Sequence, residues 1–394
     1  MDSFEKSATL PLLHSAGLGK ISRQLARTAA HYDRTGAFPH ENIEILREAG
    51  IVGLPASRLL ANAQLSLPEA QEIIAAVARG EPSTALVLIM TWLFVLQASE
   101  NSRWTPELRK ILLHDIALNG SLANALRVEP DLGTPVRGGL PKTTARRVPG
   151  GFCVSGHKLY STGIPALKWL AVWGRTDDEE PLVGNFLVPA EAPGLRIVET
   201  WDQLGLRASG SHDVILEDVF IPEQHALDIR PLRDWGTARL PALNAWMSVL
   251  LSTLYDSVAR NARDWLVQFA LERSPANLGA PLATLPRFQE ALGQIEALLH
   301  INKALIDRGK HSDIEAFSTQ DGNFLKHIVT RNAIEVTQKA LALTGNPGLS
   351  RANPLERHYR DALCGRVHSP QDDTILMSAG QAAFAAGPSL SQGD

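Results

Sequence analysis

The chain has 394 residues, of which 38 are basic and 42 are acidic, so its formal net charge is -4. Hydrophobic residues make up 44% of the sequence, which is ordinary globular usage and excludes a disordered chain. The charge is nearly balanced and forms no basic run, so the sequence lacks the electrostatic footprint of nucleic-acid binding. Length alone predicts two or three domains.

The two cysteines, Cys153 and Cys364, lie far apart in the sequence and form no C-x-x-C pair. This excludes a disulfide scaffold and a structural zinc site, so no metal is expected, and it is typical of a reducing compartment. The first residues, MDSFEKSATL, lack the apolar core of a signal peptide. We therefore expect a cytoplasmic protein that binds neither nucleic acid nor a membrane.

The first predicted domain, residues 1–118, has the pattern of helices. Ser66 and Thr105 each precede a proline and a glutamate, which is typical of a helix start. The segment 84–96 (TALVLIMTWLFVL) is apolar on every side, but it is shorter than the roughly 18 residues that a membrane span needs. It is predicted to be a buried helix of this domain.

The second predicted domain, residues 119–229, is rich in glycine and proline between short apolar runs. Four of these runs are predicted to be strands of an antiparallel sheet: 152–154, 169–173, 183–188 and 214–221. No G-x-G-x-x-G stands between a strand and a helix and no G-x-x-x-x-G-K occurs, so Rossmann and P-loop sites are excluded.

The third predicted domain, residues 230–394, returns to helices. Apolar residues recur at spacings of three and four from Leu240 to Leu254, which favours a helical bundle. Gly345 follows a helix as its stop. Near the end, Ser369, Pro370 and Asp372 predict a helix start with these residues at the N-cap, the first and the third helical position.

Six segments resemble, in the same order, the acyl-CoA dehydrogenase superfamily of flavoenzymes. The clearest is WDQLGLRASGSHDVILEDVFIP at 201–222, and the others are FPHENIEILREAGIVGL (38–54), GFCVSGHKLYSTG (151–163), ALER (270–273), LTGNPG (343–348) and PLERHYRDA (354–362). The resemblance implies an α+β fold with an N-terminal helical domain, a middle antiparallel β-barrel domain and a C-terminal four-helix bundle. It also implies a homotetramer and a bound FAD, with FMN left open because the family's glycine turn is only half present.

Seven residues match positions that bind the flavin in this family. They are Tyr160, Ser161, Thr162 and Asn124 on the side of the ring, and Arg273, Gln289 and Gly345 toward the phosphates and the adenine. Arg273 matches an arginine that reaches the cofactor of a neighbouring subunit, although the Phe-Gly pair that follows it in the family is replaced here.

The catalytic glutamate of the family has no counterpart at either of its usual places. By resemblance those places fall on Ser369 and on or near Met247, and neither holds a carboxylate. His368 is the neighbouring candidate, because the dibenzothiophene monooxygenase-like branch of the superfamily carries a histidine in this segment. Ser369 is the second catalytic candidate. The structural alternatives are a locally capped histidine at 368 and a plain helix N-cap at 369.

The leading hypothesis is a flavin-dependent oxidoreductase that performs two-component monooxygenation of a small, mostly apolar molecule. Its partner would be a flavin reductase. The first alternative is an acyl-CoA dehydrogenase with a displaced base, whose partner would be an electron-transfer flavoprotein. The second alternative is a flavin- or ligand-binding homologue without catalysis.

Overall fold

The computed structural model describes residues 15–101, 103–130, 139–237, 241–313 and 316–387. The chain divides into two compact units, the first ending at Leu254 and the second beginning at Tyr255. The division falls inside one long helix. Helices come first, strands follow and helices return, which is the order predicted from the sequence.

Seven helices open the first unit: α1 (Ser15–Ala26), α2 (Ala29–Thr35), α3 (His40–Glu48), α4 (Leu54–Leu60), α5 (Leu67–Gly80), α6 (Pro82–Glu100) and α7 (Pro106–Asn119). Two predicted starts are confirmed. The Ser66 hydroxyl accepts a hydrogen bond from the Glu69 N–H, and the Glu69 carboxylate accepts one from the Ser66 N–H, which forms a capping box for α5. Thr105 caps α7 in the same position.

Helix α6 is the buried apolar helix that the sequence predicts. By length and composition it is the one candidate membrane span in the described part of the chain, but 83% of its most apolar stretch is buried inside the protein. Trp92 on this helix donates its indole N–H to the carbonyls of Ile51 and Val52. A buried helix with satisfied polar groups is typical of a protein core.

Eight strands of the described residues follow in one sheet: β1 (Leu122–Leu126), β2 (Thr144–Val148), β3 (Gly151–Lys158), β4 (Leu167–Thr176), β5 (Leu182–Pro189), β6 (Leu195–Val198), β7 (Asp213–Pro222) and β8 (Ala226–Pro231). The order is β6-β7-β3-β2-β4-β5-β8, and β1 pairs with β4. All four predicted runs lie in strands. The antiparallel pairings predicted from the sequence dominate, but β1 and β2 both run parallel to β4.

The first unit ends in the long helix α8 (Pro241–Glu272), which continues into the second. The second unit adds α9 (Pro286–His311), α10 (Thr319–Thr344), α11 (Asn346–Leu349), α12 (Leu355–Leu363) and α13 (Asp372–Ala386). In this unit α10 packs against α9, α12 and α13. On α8, Leu250 and Leu254 are fully buried, whereas Leu240 lies outside the described residues.

The predicted start of the last helix is wrong by two residues. Helix α13 begins at Asp372 with Gln371 as its N-cap, so Ser369 is not the N-cap and Pro370 is not the first helical residue. The reason is that the Pro370 carbonyl accepts a hydrogen bond from the Lys326 ammonium of α10 at 3.1 Å. That carbonyl therefore serves a tertiary contact and does not begin the hydrogen-bond ladder of a helix.

Candidate functional site

The loop after β3 presents an aromatic ring to the outside. Tyr160 has a left-handed backbone (φ 55°) and is 56% exposed, although non-glycine residues seldom adopt this conformation. Its ring lies edge-on to Trp201, with 6.4 Å between the ring centroids. The loop therefore holds an apolar surface open to a planar ligand, as predicted for the ring side of a flavin.

Ser161 and Thr162 follow in a hydroxyl-rich turn. The Ser161 backbone N–H donates to the His212 carbonyl at 3.1 Å, and the Thr162 hydroxyl lies 3.0 Å from the hydroxyl of Ser211. The hydroxyl of Ser161 is buried and has no hydrogen-bond partner among the residues that the structure describes. An unsatisfied buried hydroxyl of this kind fits a site whose polar ligand completes it, so the loop suits a flavin.

Asn124 on β1 lies beside the same loop, but its side chain holds the loop in place. Its amide Nδ2 donates to the Thr162 carbonyl at 3.0 Å, and its Oδ1 accepts from the Ala125 N–H at 2.7 Å. The structure thus brings Asn124 together with residues 160–162. It ties two segments of the first unit, and its predicted contact with the flavin stays a prediction.

A buried ion pair between Lys158 and Glu129 connects the end of β3 to the segment after β1. The sequence did not predict this pair. Lys158 is fully buried and donates to Glu129 at 2.6 Å and to the Trp173 carbonyl. Burial lowers the pKa of Lys158 to about 8, against the opposing effect of Glu129. Glu129 also accepts from the hydroxyl of Thr143 at 2.6 Å. The sequence signal for this ion pair was the position of Lys158 in the segment 151–163 that resembles the family.

His212 forms hydrogen bonds that hold the segment containing Trp201. Its Nδ1 accepts hydrogen bonds from the backbone N–H groups of Thr200 and Trp201, each at 3.1 Å. The ring must therefore be neutral with its proton on Nε2. Burial lowers the pKa of His212, against the raising effects of Glu199 and Asp213. No pattern in the sequence singled out this histidine.

The second unit contains His368, which pairs with a tyrosine of α8. The hydroxyl of Tyr255 lies 2.7 Å from Nδ1 of His368. Tyr255 is fully buried and its pKa is raised well above the usual value by burial and by the charges of Cys364 and Asp361. Burial and, to a smaller extent, the charge of the Lys326 ammonium lower the pKa of His368 to about 4. Both partners are thus neutral at neutral pH.

The surroundings of this pair hold no carboxylate at the family's usual place. Ser369 is exposed beside His368. Asp372, the nearest acid along the chain, lies 3.3 Å from the ammonium of Lys326 as an ion pair. The second usual place, near Met247, falls in the first unit on α8.

The three residues predicted to bind the far end of the flavin all belong to the second unit. Arg273 is exposed just after α8, and Gln289 is exposed in the first turn of α9, where its amide donates to the Ala283 carbonyl at 3.1 Å. Gly345 ends α10 with φ 58°, and an added side chain would meet nothing within 4 Å. The helix stop at Gly345 is confirmed, and the three cofactor roles stay predictions.

Comparisons with known proteins agree over nearly the whole chain. Residues 127–219 match the family model of the acyl-CoA dehydrogenase middle domain, and residues 252–376 match that of the C-terminal domain. The chain is 32% identical over 375 residues to YdbM of Bacillus subtilis strain 168, which is provisionally named an acyl-CoA dehydrogenase. That alignment covers 93% of this chain and 95% of YdbM.

Two solved structures have the same fold. KijD3, determined with FMN and a dTDP-linked amino sugar, has a TM-score of 0.79 and 25% identity, with 94% of this chain and 93% of KijD3 covered. Butyryl-CoA dehydrogenase from Megasphaera elsdenii has a TM-score of 0.82 and 20% identity, with 95% and 96% covered. The chain belongs to the acyl-CoA dehydrogenase superfamily of flavoenzymes.

Proposed function

We propose that this protein is a flavin-dependent two-component monooxygenase acting on a small, mostly apolar substrate, with His368 as a hydrogen-bond donor where relatives use a carboxylate base. The observation that carries the proposal is the hydrogen bond between Tyr255 and His368. A flavin, FAD or FMN, would bind against Tyr160, and a flavin reductase would supply it in reduced form.

The direction of this hydrogen bond follows from burial. The Tyr255 side chain is fully buried, and Nδ1 of His368 is the one acceptor that its hydroxyl reaches among the described residues. If Nδ1 carried the proton instead, the phenol hydrogen would be buried without an acceptor, which costs about 1–3 kcal/mol. Tyr255 therefore donates to Nδ1, and the neutral imidazole of His368 carries its proton on Nε2.

This tautomer makes His368 a donor and a poor base. The lone pair of Nδ1 is already engaged by the tyrosine, and Nε2 carries a hydrogen. Taking up a second proton would form an imidazolium, which burial and the nearby Lys326 ammonium both disfavour. An Nε2–H group aimed at a reacting oxygen stabilises negative charge there, which suits oxygen chemistry and does not suit removal of a carbon-bound proton.

The flavin would supply electrons and react with dioxygen, while the chain's own residues bind and orient it. Tyr160 offers its exposed ring, and Ser161 offers its unsatisfied hydroxyl. Arg273, exposed after α8, suits contact with a ligand of another copy in a homotetramer. The structure of KijD3 with FMN supports FMN as a ligand that this fold can bind.

The test is an oxygenation assay with the purified protein, NADH, a flavin reductase and either FMN or FAD. Small aromatic and heteroaromatic compounds, indole among them, are incubated under ¹⁸O₂ and the products are analysed by mass spectrometry. We expect incorporation of one ¹⁸O atom that requires both NADH and reductase. His368→Ala should lower the rate roughly 100-fold or more, as loss of a placed donor does elsewhere.

His300→Ala is the matched control, because His300 is an exposed histidine of α9 in the same unit. This variant should keep the wild-type rate. Equal rates for the His368 and His300 variants would contradict the assigned role of His368. Product without ¹⁸O would contradict monooxygenation.

A second candidate function is dehydrogenation of an acyl-CoA, which the 32% identity to YdbM favours. It requires a displaced carboxylate as base. Asp361 of α12 is the candidate, because its charge raises the pKa of the Tyr255 phenol. However, Asp361 is only 3% exposed. If Asp361→Asn abolished the bleaching of bound flavin by an acyl-CoA while His368→Ala did not, this second function would replace the first.

A further inference from the structure

Within the described residues, Arg127 is a cation without a counter-charge next to the proposed ring site. It directly follows β1 and its side chain is exposed. It forms no ion pair and no hydrogen bond with the described part of the chain. The neighbouring cation, Lys158, is neutralised by Glu129 at 2.6 Å. The positive charge of this segment is therefore available to a ligand.

The backbone register places Arg127 opposite Tyr160. Val128 and Leu159 form an antiparallel bridge in which the Leu159 N–H donates to the Val128 carbonyl at 2.9 Å. In an antiparallel pair, the residue before one partner faces the residue after the other. The backbone of Arg127 thus lies across from that of Tyr160, and both side chains are exposed.

Desolvation lowers the pKa of Arg127, and no acidic group among the described residues opposes this effect. The side chain is nevertheless exposed. A surface arginine such as Arg146 differs, since it lies 3.3 Å from the carboxylate of Asp218. An exposed guanidinium without an acidic partner in the described part of the chain can bind an anionic ligand.

We propose that Arg127 binds the phosphate group of a ligand whose ring lies against Tyr160. This inference rests on the proposed function, because the flavin is the ligand expected at that ring. A guanidinium binds a phosphate through two parallel charge-assisted hydrogen bonds. The buried hydroxyl of Ser161 in the same loop, which has no hydrogen-bond partner among the described residues, is a second group that could contact this ligand.

The test compares the dissociation constants of FMN and riboflavin, which differ by the phosphate, from fluorescence titrations of the full-length protein. Wild-type protein should prefer FMN, and Arg127→Met should weaken FMN binding roughly 10- to 100-fold while riboflavin changes little. Arg127→Lys should retain part of the preference. Arg146→Met, which removes the same charge from β2, should leave both constants unchanged.

Coenzyme A is titrated in parallel to distinguish the source of the phosphate. If Arg127→Met weakens coenzyme A binding and leaves FMN unaffected, the residue still binds a phosphate, and the phosphate belongs to the substrate. If neither ligand responds to the substitution, the inference is overturned. If wild-type protein binds neither FMN, FAD nor riboflavin, the proposed function fails, and the coenzyme A titration alone decides the role of Arg127.

Discussion

Replacing Lys158 with methionine should strongly destabilise the first unit. Lys158 and Glu129 are 0% and 2% exposed, and their charges lie 2.6 Å apart. Methionine fills similar space but donates no hydrogen bond, so Glu129 would keep the donors of Thr143 and Lys142 and lose its counter-charge. Removing one partner of a buried ion pair costs about 3–5 kcal/mol. We expect a loss of that size in the free energy of unfolding.

Urea unfolding followed by tryptophan fluorescence is a suitable assay, because seven of the eight tryptophans precede Leu254. The double variant Lys158→Met with Glu129→Gln removes both charges and serves as the control. It should be more stable than Lys158→Met alone, since no uncompensated charge remains buried. The reasoning would be refuted if Lys158→Met lost less than about 1 kcal/mol of unfolding free energy, or if the double variant were less stable than Lys158→Met.

Three further predictions concern the hydrogen bonds and backbone of the candidate site. Tyr255→Phe should cost about 1 kcal/mol in urea unfolding and show a non-additive effect with His368→Ala, whereas strictly additive losses would argue against their hydrogen bond. Because burial holds the pKa of His212 below 6.5, the stability from its neutral ring is complete above pH 6.5 and is lost as the pH falls. Flavin binding should weaken as the pH falls below 6.5. His212→Gln, whose amide oxygen can accept the same hydrogen bonds, should remove this pH dependence. A variant with the same pH profile as wild-type protein would contradict the role of His212. Gly345→Ala should cost about 1 kcal/mol because φ is 58°, and an unaffected denaturation midpoint would contradict this.

The helices and the core strands could be predicted because their signals are local. Capping residues, apolar periodicity and turn residues lie within a few positions of the element that they specify. Strand β2 was missed because two of its five residues, Arg146 and Arg147, are exposed arginines, so the sequence TARRV has no apolar run. The start of α13 was placed wrongly because the deciding contact comes from Lys326, 44 residues away from Pro370.

The same distinction applies to the candidate site. The Tyr160 loop could be predicted from a contiguous motif, and the structure places Asn124 beside it. The clamp between Lys158 and Glu129 joins residues 29 apart, and Tyr255 and His368 are 113 apart. One sequence contains no information on which distant polar residues meet, and burial determines whether such a pair exists. The tautomer proposed for His368 likewise depends on its contact with Tyr255.

Anaerobic mixing of the flavin-loaded protein with a panel of acyl-CoAs tests the central claim most directly. The absorbance of the oxidised flavin is followed in a stopped-flow instrument, with an acyl-CoA dehydrogenase as positive control. Because His368 donates from Nε2 and its Nδ1 is engaged by Tyr255, His368 cannot serve as the base that removes an α-proton. The account predicts that the flavin stays oxidised with every acyl-CoA. Rapid bleaching with any of them would contradict it.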